Sequence, residues 1–139
     1  MPAGARVVAD GLVVTISRHS VRDTISHLAE LAKSKGLEIF AHIDHAAHAA
    51  RVGVTLRPTE LLIFGEPAAW ASLMLDQPSI GLNLPMKALA WEDENGEVCL
   101  TYYDIRWLAE RQRLGAKALP AVDAIAATMA TLAVAATGT

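Results

Sequence analysis

Apolar and polar positions change period several times along the chain, and each change marks an element. Gly11 to Ser17 (GLVVTIS) is an apolar, β-branched run and predicts a strand. Ser20-Val-Arg-Asp23 then has the form of a capping box, in which a serine and an acidic side chain satisfy the first free amides of a helix. Val21, Ile25, Leu28 and Leu31 follow at three- and four-residue spacing, so one helical stripe faces a core. Lys33 and Lys35 suit the negative end of that helix, and Gly36 can close it in the left-handed conformation. Leu37 to Ile43 alternates as a second strand, after which Asp44 is placed to cap a short helix through Val52. Thr59 to Phe64 reads as a third strand ending in Gly65-Glu66-Pro67, with Pro67 at the first position of a helix whose apolar side is Trp70, Leu73 and Met74. Leu84 to Glu92 and Glu97 to Tyr103 flank Asp93-Glu94-Asn95-Gly96, and an Asn-Gly pair between two such runs predicts a hairpin. Arg106 to Leu114 reads as a polar-faced helix and Ala121 to Ala135 as an Ala-rich one. The expected order is β-α-β-α-β-α-β-β-α-α. Interleaved elements with one antiparallel hairpin define an α+β fold, an antiparallel sheet with helices packed on it.

Composition narrows the function classes. The chain has 139 residues, within the range of one domain, and no repeat or linker divides it, so residues 1–139 are read as a single domain. Hydrophobic residues make up 53% and charged residues 19%, which excludes disorder and supplies a core without staples. A formal charge of −3 argues against a nucleic-acid partner, because phosphate binding calls for a basic excess. The single cysteine, Cys99, excludes an internal disulfide and any multi-cysteine metal site, and reads as a packing residue. Arg6 and Asp10 interrupt the N-terminal apolar residues, so no signal-peptide core forms there. The uncharged stretch from Ala124 to Thr137 is shorter than the ~20 residues that cross a bilayer and is read as a buried helix. Cytoplasmic location and no membrane partner are the expectations.

Chemistry concentrates at strand-to-helix junctions. His42, His45 and His48 have a spacing that suits a metal on a helix, but His42 belongs to the strand, so the three do not share a face and no metal is expected. Ile43-Asp44-His45 brings helix-terminal amides together with a carboxylate able to orient His45 as a general base or ligand clamp. At Phe64-Gly65-Glu66-Pro67, Gly65 permits close approach of the backbone to a ligand or a neighbouring strand, and Glu66 is a carboxylate at a helix start. Trp70 is core or pocket wall, Lys87 an isolated cation, and Tyr102 and Tyr103 point to opposite faces of their strand. Capping explains Asp44 and Glu66 as well as function does, and a solvated face explains Lys87. No P-loop, dinucleotide fingerprint or nucleophile elbow is present, which argues against phosphate-cofactor enzymes and common covalent hydrolases, and no cofactor is expected.

Several of these segments together, Ile43-Asp44-His45-Ala46, Leu61-Leu62-Ile63-Phe64-Gly65, Leu73-Met74, Leu84-Pro85, Trp91-Glu92-Asp93 and Tyr103-Asp104, resemble the domain of unknown function 302 family over about residues 11–114. The resemblance implies a single copy of a TATA-box-binding-protein-like α+β fold and a homodimer, without DNA binding and without an established reaction. Where that family usually has Asn, this chain has Glu66, and Trp70-Ala71 replaces Gly-Thr. Asn83, Tyr103-Asp104 and Arg111-Gln112-Arg113 replace the family's usual Asp, Asn-Asp and Arg-His-Gly. These exchanges lie near the junctions and imply a ligand preference altered toward something flatter or more apolar, or neutral drift of a surface.

Three functions compete. The leading expectation is a homodimer that binds a small organic ligand in a pocket of Asp44, His45, Phe64, Gly65, Glu66, Trp70, Asn83, Lys87 and Tyr103. The second is a cofactor-independent isomerase, lyase or hydrolase in which His45 and Glu66 trade a proton with Asp44 in support. The third is a structural or regulatory interaction module presenting the Ala-rich C-terminal helix.

Overall fold

The computed structural model describes residues 5–8 and 10–138. Its strands are β1 (Ala5–Val8), β2 (Leu12–Ser17), β3 (Glu38–Asp44), β4 (Thr59–Gly65), β5 (Met86–Glu92) and β6 (Val98–Tyr103). Its helices are α1 (Val21–Ser34), α2 (His45–Arg51), α3 (Pro67–Asp76), α4 (Ile105–Arg111) and α5 (Leu119–Thr137), with a 3-10 segment at Pro78–Asn83. The strands form one sheet in the order β1-β2-β6-β5-β4-β3, and every neighbouring pair is antiparallel.

Local signals account for most boundaries. Ser20 Oγ accepts the Asp23 amide at 3.0 Å at the start of α1, and Asp44 Oδ1 accepts the Ala47 amide at 2.9 Å at the start of α2. Both contacts satisfy amides that a helix start leaves without intrahelical partners. In the β5–β6 loop the Asp93 carboxylate accepts the Asn95 and Glu97 amides, both at 2.9 Å, around a Gly96 with φ of 80°.

Four differences from expectation stand out. The described residues open with β1, a strand that the charges at Arg6 and Asp10 obscured. The signal for it was Asp10-Gly11, whose positive φ values of 61° and 76° suit the turn of a hairpin with β2. The regular alternation of β3 breaks where the register shifts between Ile39 and Ala41, leaving Phe40 in a bulge on an edge strand. α5 is longer than expected at both ends. By length and composition the stretch Ala116–Thr137 could cross a membrane, yet Val122, Ile125, Met129 and Leu132 are buried in the domain core. The 3-10 segment between α3 and β5 was not expected.

The two faces of the sheet differ. Val13, Leu62, Phe64, Met86, Ala88, Ala90, Leu100 and Tyr102 point to one face and form a single core with α1, α3, α4 and α5. The opposite face carries the cross-strand row Ile43, Leu61, Leu89, Thr101 and Val14, and beside it Thr59, Trp91, Cys99 and Ile16. These residues lie outside the cluster packed under the helices; Val14 and Cys99 are nonetheless buried, at 9% and 6% exposure, while Ile16 is 43% exposed.

Tyr102, on the core face, has its phenol raised above the usual 10.0, first by burial and then by the Asp104 carboxylate. Because the folded protein holds that proton more tightly than the unfolded chain, stability present below about pH 10 drains away as pH rises toward the raised value. Chemical denaturation of Tyr102→Phe across this alkaline range is expected to show a shallower loss than the parent. Parallel slopes would refute the assignment.

Candidate functional site

At the end of β4 the chain turns through Gly65 and Glu66 into α3. Pro67 starts the helix, and the Ala69 and Trp70 amides return to the Glu66 carbonyl at 3.1 and 3.4 Å. One turn in, the Cζ2–Nε1 edge of the Trp70 indole abuts Gly65: a β-carbon built there would stand 2.4 Å from Trp70 Cζ2. The close approach that Gly65 permits is therefore to the protein's own indole. Phe40 packs against Trp70 with ring centroids 5.2 Å apart.

Trp70, 7% exposed, walls a crevice between the sheet end, α3 and α5. Phe64, Met86, Leu37, Ile125 and Met129 supply most of the lining of this solvent-open crevice, whose cavity volume is about 100 Å3. Among the described residues, Glu66 is its only ionisable lining residue. The Glu66 carboxylate is exposed, makes no capping hydrogen bond, and has no ion pair among the described residues.

The expected pocket is divided by the fold. Phe64, Gly65, Glu66 and Trp70 come together as read. Asp44 and His45 do not join them: in the β3–β4 pairing Asp44 faces Glu60 and Glu38 faces Gly65. Six residues separate Glu60 from Glu66, about 20 Å at the ~3.3 Å rise of a strand. The proton-trading pair His45 and Glu66, with Asp44, is therefore corrected, since one reacting atom cannot lie within hydrogen-bond reach of both. Lys87 and Tyr103 lie near the crevice end but on the opposite face. Lys87 alternates with core-facing Met86 and Ala88, and Tyr103 stacks on Trp107 at 5.7 Å between ring centroids. Asn83 also stands outside the lining, accepting from Gln112 Nε2 at 3.4 Å.

A second polar cluster occupies the other end of the sheet. His42 Nε2 donates to Glu60 Oε1 at 2.5 Å. Arg22 spans Asp44 Oδ2 at 3.7 Å and Glu60 Oε2 at 3.9 Å. Glu60 is 4% exposed, and both of its carboxylate oxygens meet a side-chain partner, His42 at Oε1 and Arg22 at Oε2. His42 thus sits on β3 while His45 and His48 sit on α2; among the described residues no three potential ligands converge on a metal. Period-two reading of Thr59 to Phe64 places Glu60 on the same face as Leu62 and Phe64, a signal the sequence reading passed over. The α5 wall of the crevice, Ile125 and Met129, was also missed. Only a helix apolar on most of its surface hinted at it, without saying what it covers.

These features define a class: an α+β domain of one antiparallel sheet, helices on one face, and an apolar crevice at the sheet's end. The chain belongs to the family described as Domain of unknown function DUF302, whose model matches residues 13–132, reaching past Leu114 into α5. A crystal structure of an uncharacterized conserved DUF302 protein from Bacillus stearothermophilus is similar, with a TM-score of 0.73 at 19% identity over 93% of this chain and 97% of that one. That likeness concerns the fold. The chain is also similar to the fluoride-specific ion channel FluC 1 of Brucella suis biovar 1 (strain 1330), 48% identical over 124 residues, 89% of this chain and 49% of the relative. FluC 1 of Brucella abortus biovar 1 (strain 9-941) matches equally, at 48% identity over 89% of this chain and 46% of its own length. The chain spans about half the length of these curated relatives.

Proposed function

We propose that this domain binds a small, mostly apolar organic molecule in the crevice at the β4–α3 turn, and that it does so as a cytoplasmic homodimer. One observation carries the binding reading: Phe64, Trp70, Met86 and Met129 line a recess with a lone carboxylate, Glu66, as its ionisable group. Small-molecule sites combine apolar walls with a few polar groups in this way. The homodimer reading rests on the uncovered sheet face. Six strands at ~4.8 Å and about six residues at ~3.3 Å outline roughly 600 Å2. Two such faces packed together would bury about 1,200 Å2, the lower end of stable interfaces.

The binding test is to plug the crevice from outside the core. Ala124 lies on the exposed side of α5 and lines the mouth. Ala124→Trp is expected to weaken binding of 3-phenylpropanol at least tenfold, read by NMR shifts of the Trp70 indole and Met129 methyl, with stability within about 0.5 kcal/mol of the parent. Shifts that persist unchanged in the variant, or none in the parent at millimolar ligand, would reject the crevice as a site.

A second reading, the regulatory module, is favoured by the Brucella relatives, in which the matching segment is about half of a protein named as a fluoride-specific ion channel. On this reading the shared half responds to a ligand and the remaining half carries the ion. Pull-down of the relatives' other half by this domain would support it, and dependence of that contact on α5 would locate it.

A further inference from the structure

Glu66 gives the crevice a charge preference. At a helix start a glutamate ordinarily caps free amides or complements the dipole, but this carboxylate takes no capping hydrogen bond. It has no ion pair among the described residues, and it belongs to an otherwise apolar lining. A second exposed carboxylate, Glu38, stands at the same sheet end, paired in register with Gly65. Lys87, the cation on the neighbouring strand, projects from the other face of the sheet. An anion entering here would meet acidic residues without a compensating lysine or arginine in the lining. The adjacent wall is Trp70, the ring type that attracts cations best, braced by Phe40 on one side and by the Gly65 backbone on another.

We infer that the ligand of this crevice is a small organic cation: an ammonium head held by Glu66 and the Trp70 ring, joined to a flat apolar body lying against Phe64, Met86 and Met129. This rests on the crevice being a ligand site, and it adds the sign of the charge. The contact is an ion pair reinforced by cation–π attraction, with no bond made or broken. Glu66 provides the selectivity and the apolar walls most of the affinity.

The experiment compares three probes of one shape, 3-phenylpropylammonium, 3-phenylpropanol and 3-phenylpropanoate, titrated into the full chain at neutral pH and low salt. The indole resonances of isotope-labelled protein are followed, with Trp70→Phe identifying which belongs to Trp70. The ammonium is expected to bind at least tenfold more tightly than the alcohol, and the carboxylate more weakly than either. Glu66→Gln, a surface change, is expected to erase the tenfold preference while leaving the alcohol's affinity within twofold. Equal affinity for ammonium and alcohol, or a preference that survives Glu66→Gln, would overturn the cation inference and leave the crevice standing. Failure of all three probes to move the Trp70 resonance would overturn the crevice itself, and the inference with it.

Discussion

Gly65→Ala is expected to destabilise the domain by about 2–5 kcal/mol and to abolish ligand binding in the crevice. Two separate effects add at this residue. Its φ of 150° lies where a side chain of ordinary chirality is strained, a penalty of roughly 1–2 kcal/mol. The new β-carbon would also stand 2.4 Å from Cζ2, 2.9 Å from Cε2 and 3.0 Å from Nε1 of Trp70. The indole is a rigid plate with Phe40 packed against it, so it must swing rather than flex, and overpacking of this kind costs about 1–3 kcal/mol. Urea denaturation gives the total. A double-mutant cycle with Trp70→Ala separates the parts, because removing the indole removes the clash and leaves only backbone strain. A Gly65→Ala penalty identical in both backgrounds would show that the indole contact contributes nothing.

Leu89→Lys is expected to convert a dimer into a monomer, weakening association at least 100-fold, or about 2.8 kcal/mol. Leu89 stands mid-row on the uncovered face, between Leu61 and Thr101, with Ile43 and Val14 further out. In a single chain it is half-buried on the face opposite the helix-packed core, and a lysine there can lift its amine into water. Between two packed sheets the same lysine would carry an unpaired charge into an apolar layer about 10 Å thick, where a charge without a partner is severely penalised. Sedimentation equilibrium across micromolar concentrations reads the association, and circular dichroism verifies that the fold survives. A parent protein that remains monomeric at 100 μM would reject the homodimer, and a variant that remains dimeric would move the interface elsewhere.

The crevice and the sheet face do separate work in this scheme, since they lie on opposite sides of one sheet. A ligand can enter the first while the second is covered. The Trp70 site gains its depth from α5, whose Ile125 and Met129 close one wall. Any change that loosens α5 from the core is therefore expected to weaken binding before it touches association.

Local structure was legible because its causes are local. A serine three residues before an aspartate, an aspartate before an alanine-rich turn, a proline at a helix start and a glycine-closed loop act within a few residues of themselves, and α1, α2, α3 and the β5–β6 hairpin all formed where these signals stood. The α+β class and the grouping of Phe64, Gly65, Glu66 and Trp70 followed from the same short-range information, as did the family. What lies beside what was decided only by tertiary structure. Asp44-His45 and Gly65-Glu66 look alike in sequence, each a strand running into a helix, and in a parallel sheet two such junctions would meet at one edge. Here β3 and β4 are antiparallel neighbours, so the end of one lies beside the start of the other, and the two junctions fall at opposite ends of the sheet. Strand direction depends on how non-local backbone hydrogen bonds pair and on the length of the connection, and no residue at either junction carries that information.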